Sequence, residues 1–167
     1  MVPFKLILVI VLAVFSGCAC VPQNPTTSPS SSETPKPYAF DREKARELSD
    51  AVVAALIKND RSALRSKMEK AARDYYNQTS FDKIIDQMFE AYGSPKEAIF
   101  MKVEEGRKQG AGGYDKPVLK HWYAVRTSKY DYGSHFVFVE IVPDEDGYAS
   151  SGVSIVNFPM GVPQDMQ

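Results

Sequence analysis

From Asp41 to Lys58 the apolar residues Ala45, Leu48, Val52, Ala55 and Leu56 recur at spacings of three and four, with Arg, Glu and Lys between them. That period belongs to an amphipathic helix, and Asp41, just ahead of the stripe, is placed to cap it. Asn59-Asp60 breaks the pattern, after which Leu64, Met68, Ala71, Ala72 and Tyr75 draw a second helical stripe. Thr79-Ser80-Phe81-Asp82 has the form of a capping box with Asp in the acidic place. It opens a third helix that would turn Phe81, Ile84, Ile85, Met88, Phe89 and Tyr92 inward and stop at Gly93-Ser94-Pro95.

Beyond Pro95 the period changes from 3.6 to 2. Glu97 to Glu105 alternates weakly, and Val118 to Thr127, Ser134 to Val142 and Ser151 to Phe158 read as further strands. Arg107 to Lys116, with Gly110-Ala111-Gly112-Gly113 inside it, reads as a loop. No Lys-Ser or Lys-Thr follows those glycines, which excludes a phosphate-cradling P-loop. Short turns at Lys129 to Gly133 and Asp144 to Gly147 imply an antiparallel meander. Helices first and strands afterwards predict an α+β domain, three helices laid on one face of a curved four-stranded antiparallel sheet. The strand from Ser134 is apolar on both sides: His135, Val137, Val139 and Ile141 on one, Phe136, Phe138, Glu140 and Val142 on the other. Helices can cover only one side. The other is expected to meet a partner, a ligand or another part of this chain, such as the Pro-containing C-terminal segment.

The front of the chain is organised differently. Lys5 precedes ten uninterrupted apolar residues, Leu6 to Phe15, which end in Ser16-Gly17-Cys18. A charged start, an apolar run and small residues describe an export signal, and the run is shorter than the roughly 20 residues a membrane-spanning helix needs. Phe15-Ser16-Gly17-Cys18 resembles the lipobox of bacterial lipoprotein signal peptides, with Phe in place of the usual Leu. The resemblance implies a diacylglycerol thioether on Cys18, cleavage after Gly17 and acylation of the new amino group. One acyl chain anchors only marginally, whereas two or three on one residue hold a protein on the membrane almost permanently. Cys20 makes a poorer box, because Gly17-Cys18-Ala19 lacks a leading aliphatic residue. It is left as a bystander, a second acylation site or an intermolecular disulfide partner. Ala19, as a residue other than Asp after the lipidated cysteine, implies the outer membrane if the source is Gram-negative.

Between residues 22 and 37 lie five prolines and no aliphatic or aromatic side chain, a composition suited to an extended tether. The expected organisation is therefore a signal peptide over 1–17, a lipidated linker over 18–37, a domain over 38–160 and a flexible tail over 161–167. The helical stripes, the break at Asn59-Asp60, the Tyr92-Gly93 helix end, the four-strand meander and the turn Asp146-Gly147-Tyr148 together resemble small exported domains of the nuclear-transport-factor-2-like, or cystatin-like, superfamily. That resemblance implies a cone-shaped sheet backed by helices, an outer face that often dimerises, and no particular activity.

Candidate chemistry is sparse. A formal net charge of −1 without a basic cluster argues against nucleic acid as a partner. Both cysteines precede the domain, so neither a disulfide nor a thiolate metal site is expected inside it, and no motif calls for a cofactor. Of the two histidines, His121 and His135, a direct turn around Tyr130 sets His121 opposite Val139 and far from His135, which disfavours a two-histidine metal site. Each is expected at a strand end, half exposed. Tyr123, Glu140 and His121 are the residues that a pocket between helices and sheet would use, Glu140 as a base in apolar surroundings. No serine-hydrolase motif is present. The favoured expectation is a lipid-anchored, non-catalytic interaction domain that meets a second copy or an envelope protein through Phe136, Phe138 and Val142. The alternative is a small-molecule carrier or enzyme built around that pocket.

Overall fold

The computed structural model describes residues 38–109, 115–145 and 147–157. The signal peptide, Cys18, the linker, the glycine-rich stretch and the C-terminal segment from Phe158 lie outside them. Asp41 caps α1 (Arg42–Ile57), its carboxylate accepting the Lys44 N–H at 3.2 Å. The stripe that faces inward is Ala45, Ser49, Val52, Val53, Ala55 and Leu56.

Where one second helix was expected there are two, α2 (Arg61–Ser66) and α3 (Lys70–Tyr75). The cause is a long-range contact. The Lys67 carbonyl accepts the Ser150 N–H at 2.8 Å and the Glu69 N–H donates to the Ser150 carbonyl at 2.9 Å, which takes both groups out of a helical ladder. Met68 thereby forms a single parallel bridge with Ser150. α4 (Gln78–Tyr92) is capped by Asn77, which accepts the Ser80 N–H at 2.9 Å, rather than by the expected Thr79 box. Asp82 instead takes the Gln78 side-chain amide at 2.8 Å. Phe81 and Ile85 are buried, but Ile84 is 40% exposed, because it falls on the flank of a helix whose inner face is narrower than its apolar pattern.

Four antiparallel strands follow in the order β1 (Pro95–Gln109), β2 (Asp115–Thr127), β3 (His135–Asp144) and β4 (Gly147–Asn157), each paired with the next. The chain is thus α+β, helices preceding an open antiparallel sheet. The first two strands reach further than expected: Arg107, Lys108 and Gln109 pair with Pro117, Lys116 and Asp115, so the ends of the presumed loop belong to the ladder. An ion pair between Arg107 and Asp115 reinforces that end. The turn at Tyr130 sets Leu119 opposite Ile141 and His121 opposite Val139, the register expected of a direct hairpin.

α1 packs against all four strands. Between them lies a core in which Leu56, Leu119, Val125, Val137, Val139 and Ile141 have no exposed surface. The Lys67–Glu69 segment covers part of the free edge of β4, while β1 forms the opposite edge with Ile99 54% exposed. A bulge between Phe100 and Lys102 interrupts that edge and makes it a poorer template for another strand.

Candidate functional site: the two faces of the sheet

Strand parity distributes the candidate residues between two surfaces. His121 and Tyr123 face α1, whereas Glu140, paired with Lys120, faces away together with Phe136, Phe138 and Val142. The residues a pocket would need are therefore not assembled: the structure brings His121 and Tyr123 together and leaves Glu140 on the opposite side.

On the inner side the Tyr123 hydroxyl lies 2.8 Å from both Ser49 Oγ and Asp50 Oδ1. Its one proton can go to the carboxylate while it accepts from the serine. Asp50 is held in turn by Arg46 Nε at 2.8 Å, and the Arg46 guanidinium sits 3.5 Å from the centre of the Phe100 ring. Burial raises the Tyr123 phenol above its ordinary range, so the hydroxyl stays protonated. None of Arg46, Ser49 and Asp50 stood out in the sequence. Only Ser49 left a trace, a polar residue four after Ala45 and three before Val52, within the buried stripe.

Both histidines are 2% exposed rather than half exposed. For His121 the reason is its place in the middle of β2, paired with Val103 on one side and Val139 on the other, with the Phe100 ring centre 6.2 Å away. Burial, with the Arg46 charge as a second cause, pushes its pKa down to about 4, Asp50 opposing. His121 Nδ1 is buried with no hydrogen-bond partner among the described residues. His135 lies under Tyr130, ring centres 4.1 Å apart, and bonds through Nδ1 to Ser134 Oγ at 2.8 Å; burial lowers its pKa too. The two rings stand apart, His121 in the middle of β2 opposite Val139 and His135 at the start of β3 opposite Asn157, and no cluster of metal-ligating side chains exists among the described residues.

Two grooves flank the incoming segment at Tyr38 and Phe40, away from Tyr123. The larger, about 520 Å³, runs between Tyr38, Asp41, Leu48 and Tyr148; the smaller, about 220 Å³, lies between Phe40, Glu105 and Pro117. Phe40 stacks on Tyr148 with ring centres 6.0 Å apart, and the Tyr148 hydroxyl accepts the Asp41 N–H at 2.6 Å, so the segment is fastened to the start of β4.

The outer side combines aromatic and charged groups. Trp122 and Phe136 form a second cluster with Ala124, Phe138 and Val156. Lys120 Nζ stands 4.7 Å from the centre of the Phe138 ring and 5.7 Å from Trp122. Glu140 is held by Lys108 at 2.7 Å and Lys120 at 3.6 Å, and Glu104 accepts from the Trp122 indole at 2.8 Å and pairs with Lys102 at 2.8 Å. The Lys102 bond holds the Glu104 carboxyl below its ordinary range. Phe136 and Val142 are fully buried and Phe138 is half-buried, so Phe138 is the member of that trio open to contact. No helix among the described residues is long and apolar enough to cross a membrane. Comparison with protein-family models, with curated proteins and with solved structures finds no match for this chain.

Proposed function

We propose that the protein is a membrane-anchored envelope lipoprotein, held by lipid on Cys18, whose folded part is a non-catalytic interaction domain of the nuclear-transport-factor-2-like kind. The anchor is supported by Phe15-Ser16-Gly17-Cys18 after ten apolar residues and by the proline-rich stretch behind it. In a Gram-negative source Ala19 favours the outer membrane.

The observation that carries the interaction reading is the contrast between the two sides of the sheet. The inner side is filled by apolar side chains, and its one reactive-looking hydroxyl, on Tyr123, is already engaged by Ser49 and Asp50. The outer side presents Phe138 beside Lys120 and Glu140, an aromatic anchor ringed by charges, as protein-binding surfaces commonly do. The partner is a second copy or an envelope protein.

The test compares the full chain with Cys18→Ser and Phe138→Lys. Mass spectrometry should find the mature chain beginning at a lipid-modified Cys18, and Cys18→Ser should remain uncut and unlipidated. Phe138→Lys should stay in the membrane fraction and folded but run as a smaller complex after mild detergent extraction. An unmodified N-terminus overturns the anchor, and an unchanged complex size overturns the role of the face.

A further inference from the structure

The two grooves beside Tyr38 serve neither the outer face nor the Tyr123 network. Tyr38 lines both and stands as the ridge between them, 45% exposed. On one side lies the groove of about 520 Å³ with Leu48 and Tyr148, on the other that of about 220 Å³ with Phe40 and Pro117. The rings are held in place. Tyr38 meets Phe40 edge-on with centres 4.9 Å apart, and Phe40 lies on Tyr148 and packs with it against the main core. Rings fixed in this way have little freedom left to lose, which favours a ligand that packs on them.

The charged side chains around the grooves are each answered by an opposite one. Asp41 pairs with Lys44 at 3.3 Å, Glu105 with Arg42, and Arg107 with Asp115. A charged ligand would have to compete with one of these pairs, so the grooves suit an uncharged one. They also have donors to give: the Tyr148 oxygen accepts the Asp41 N–H and keeps its own proton, and the Lys44 side chain is 73% exposed. We infer that the grooves bind a proline-rich, extended segment of another protein. Such a segment forms a polyproline II helix, with open carbonyls and, at each proline, no N–H that needs a partner. It repeats every three residues, about 9 Å, so successive turns set proline rings on the two sides of a ridge such as Tyr38. Aromatic-lined grooves are a recurring receptor for these helices, which are preformed and cost little to order. Phe138 belongs to the other cluster, so the inference needs neither that face nor the lipid anchor.

The probe is a dye-labelled proline decamer titrated with the full chain in detergent micelles and read by fluorescence anisotropy, with a glycine-serine decamer as control. Saturable binding is expected of the proline peptide alone. Tyr38→Ala, at an exposed position outside the core, should weaken it roughly ten-fold. Tyr148→Phe keeps the ring, removes the hydroxyl and should weaken it about three-fold. Phe138→Lys should bind as the parent does, which separates this test from that of the outer face. Far-UV circular dichroism checks each fold, and if Tyr148→Phe fails to fold, Tyr38→Ala decides. No saturable binding, equal binding of the glycine-serine peptide, or unchanged binding in Tyr38→Ala would overturn the proposal. So would a peptide of residues 22–37 that displaces the probe at lower concentration than the unlabelled proline decamer, since the grooves would then belong to the protein's own linker.

Discussion

Gly93→Ala is expected to cost about 3 to 5 kcal/mol of folding stability, several times more than Gly133→Ala, for which we expect about 1 kcal/mol. Both glycines have positive φ, +80° at Gly93 and +100° at Gly133, so both substitutions strain the backbone. They differ in what surrounds them. A β-carbon at Gly93 would stand 2.9 Å from the Lys129 backbone nitrogen, Ser128 Oγ and Thr127 Oγ1, whereas nothing lies within 4 Å of one at Gly133. Those three atoms belong to the knot that joins the end of α4 to the β2–β3 turn. There Ser128 N donates to the Ser94 carbonyl at 2.8 Å and the Ser94 N–H donates to Ser128 Oγ at 3.1 Å. Making room for a methyl group breaks that exchange and displaces the helix from the turn. Chemical denaturation of the two variants checks the contrast; equal losses would contradict it.

A second large effect is expected on acidification. An unfolded histidine titrates near 6.5, whereas buried His121 holds out to about 4. Between those values the unfolded chain binds a proton that the folded chain refuses. Stability is therefore full above about pH 6.5 and falls as the pH drops towards 4, with a loss of about 3 kcal/mol overall and roughly 2 kcal/mol between pH 7 and pH 5. His135, whose pKa burial also lowers, adds a loss of the same sign. The carboxylates held low by cationic partners, Asp86 by Arg61 and Glu97 by Arg126, contribute only at lower pH, as their unfolded forms begin to protonate near 4. Urea unfolding at pH 7, 6 and 5 should show the decline in the parent chain. In His121→Leu most of it should vanish, since that change removes both the proton site and a buried nitrogen without a partner. A decline of the same size in both chains would contradict the assignment to His121.

How much of this was legible in the sequence depends on how far each cause reached along the chain. The strand register was legible because a short turn at Tyr130 dictates which residues oppose one another. The same register sets Glu140 opposite Lys120, on the other side from His121 and Tyr123, a separation that the expected pocket of all three overlooked. The break at Met68 was not legible, because its cause is Ser150, which lies more than half the domain away in sequence. Glycines made Arg107 to Lys116 read as loop throughout, yet the outer residues of that stretch are zipped by a ladder and by Arg107 with Asp115. The burial of His121 was missed for a separate reason: it sits in the middle of β2, between Val103 and Val139, not at a strand end. Arg46, Ser49 and Asp50 escaped notice because their role is set by where α1 crosses β1 and β2. A helical stripe records which side is buried, but not what it meets.

The central claim, that the outer face of the sheet is where this domain meets a partner, is tested most directly by proximity in the native membrane. A photoreactive amino acid is placed at Phe138 in the full chain, and in a second chain at Lys83, an exposed position on α4. The account predicts a discrete light-dependent adduct, with a second copy or with one envelope protein, from position 138 and none from position 83. No adduct from position 138, or the same adducts from both positions, would contradict it.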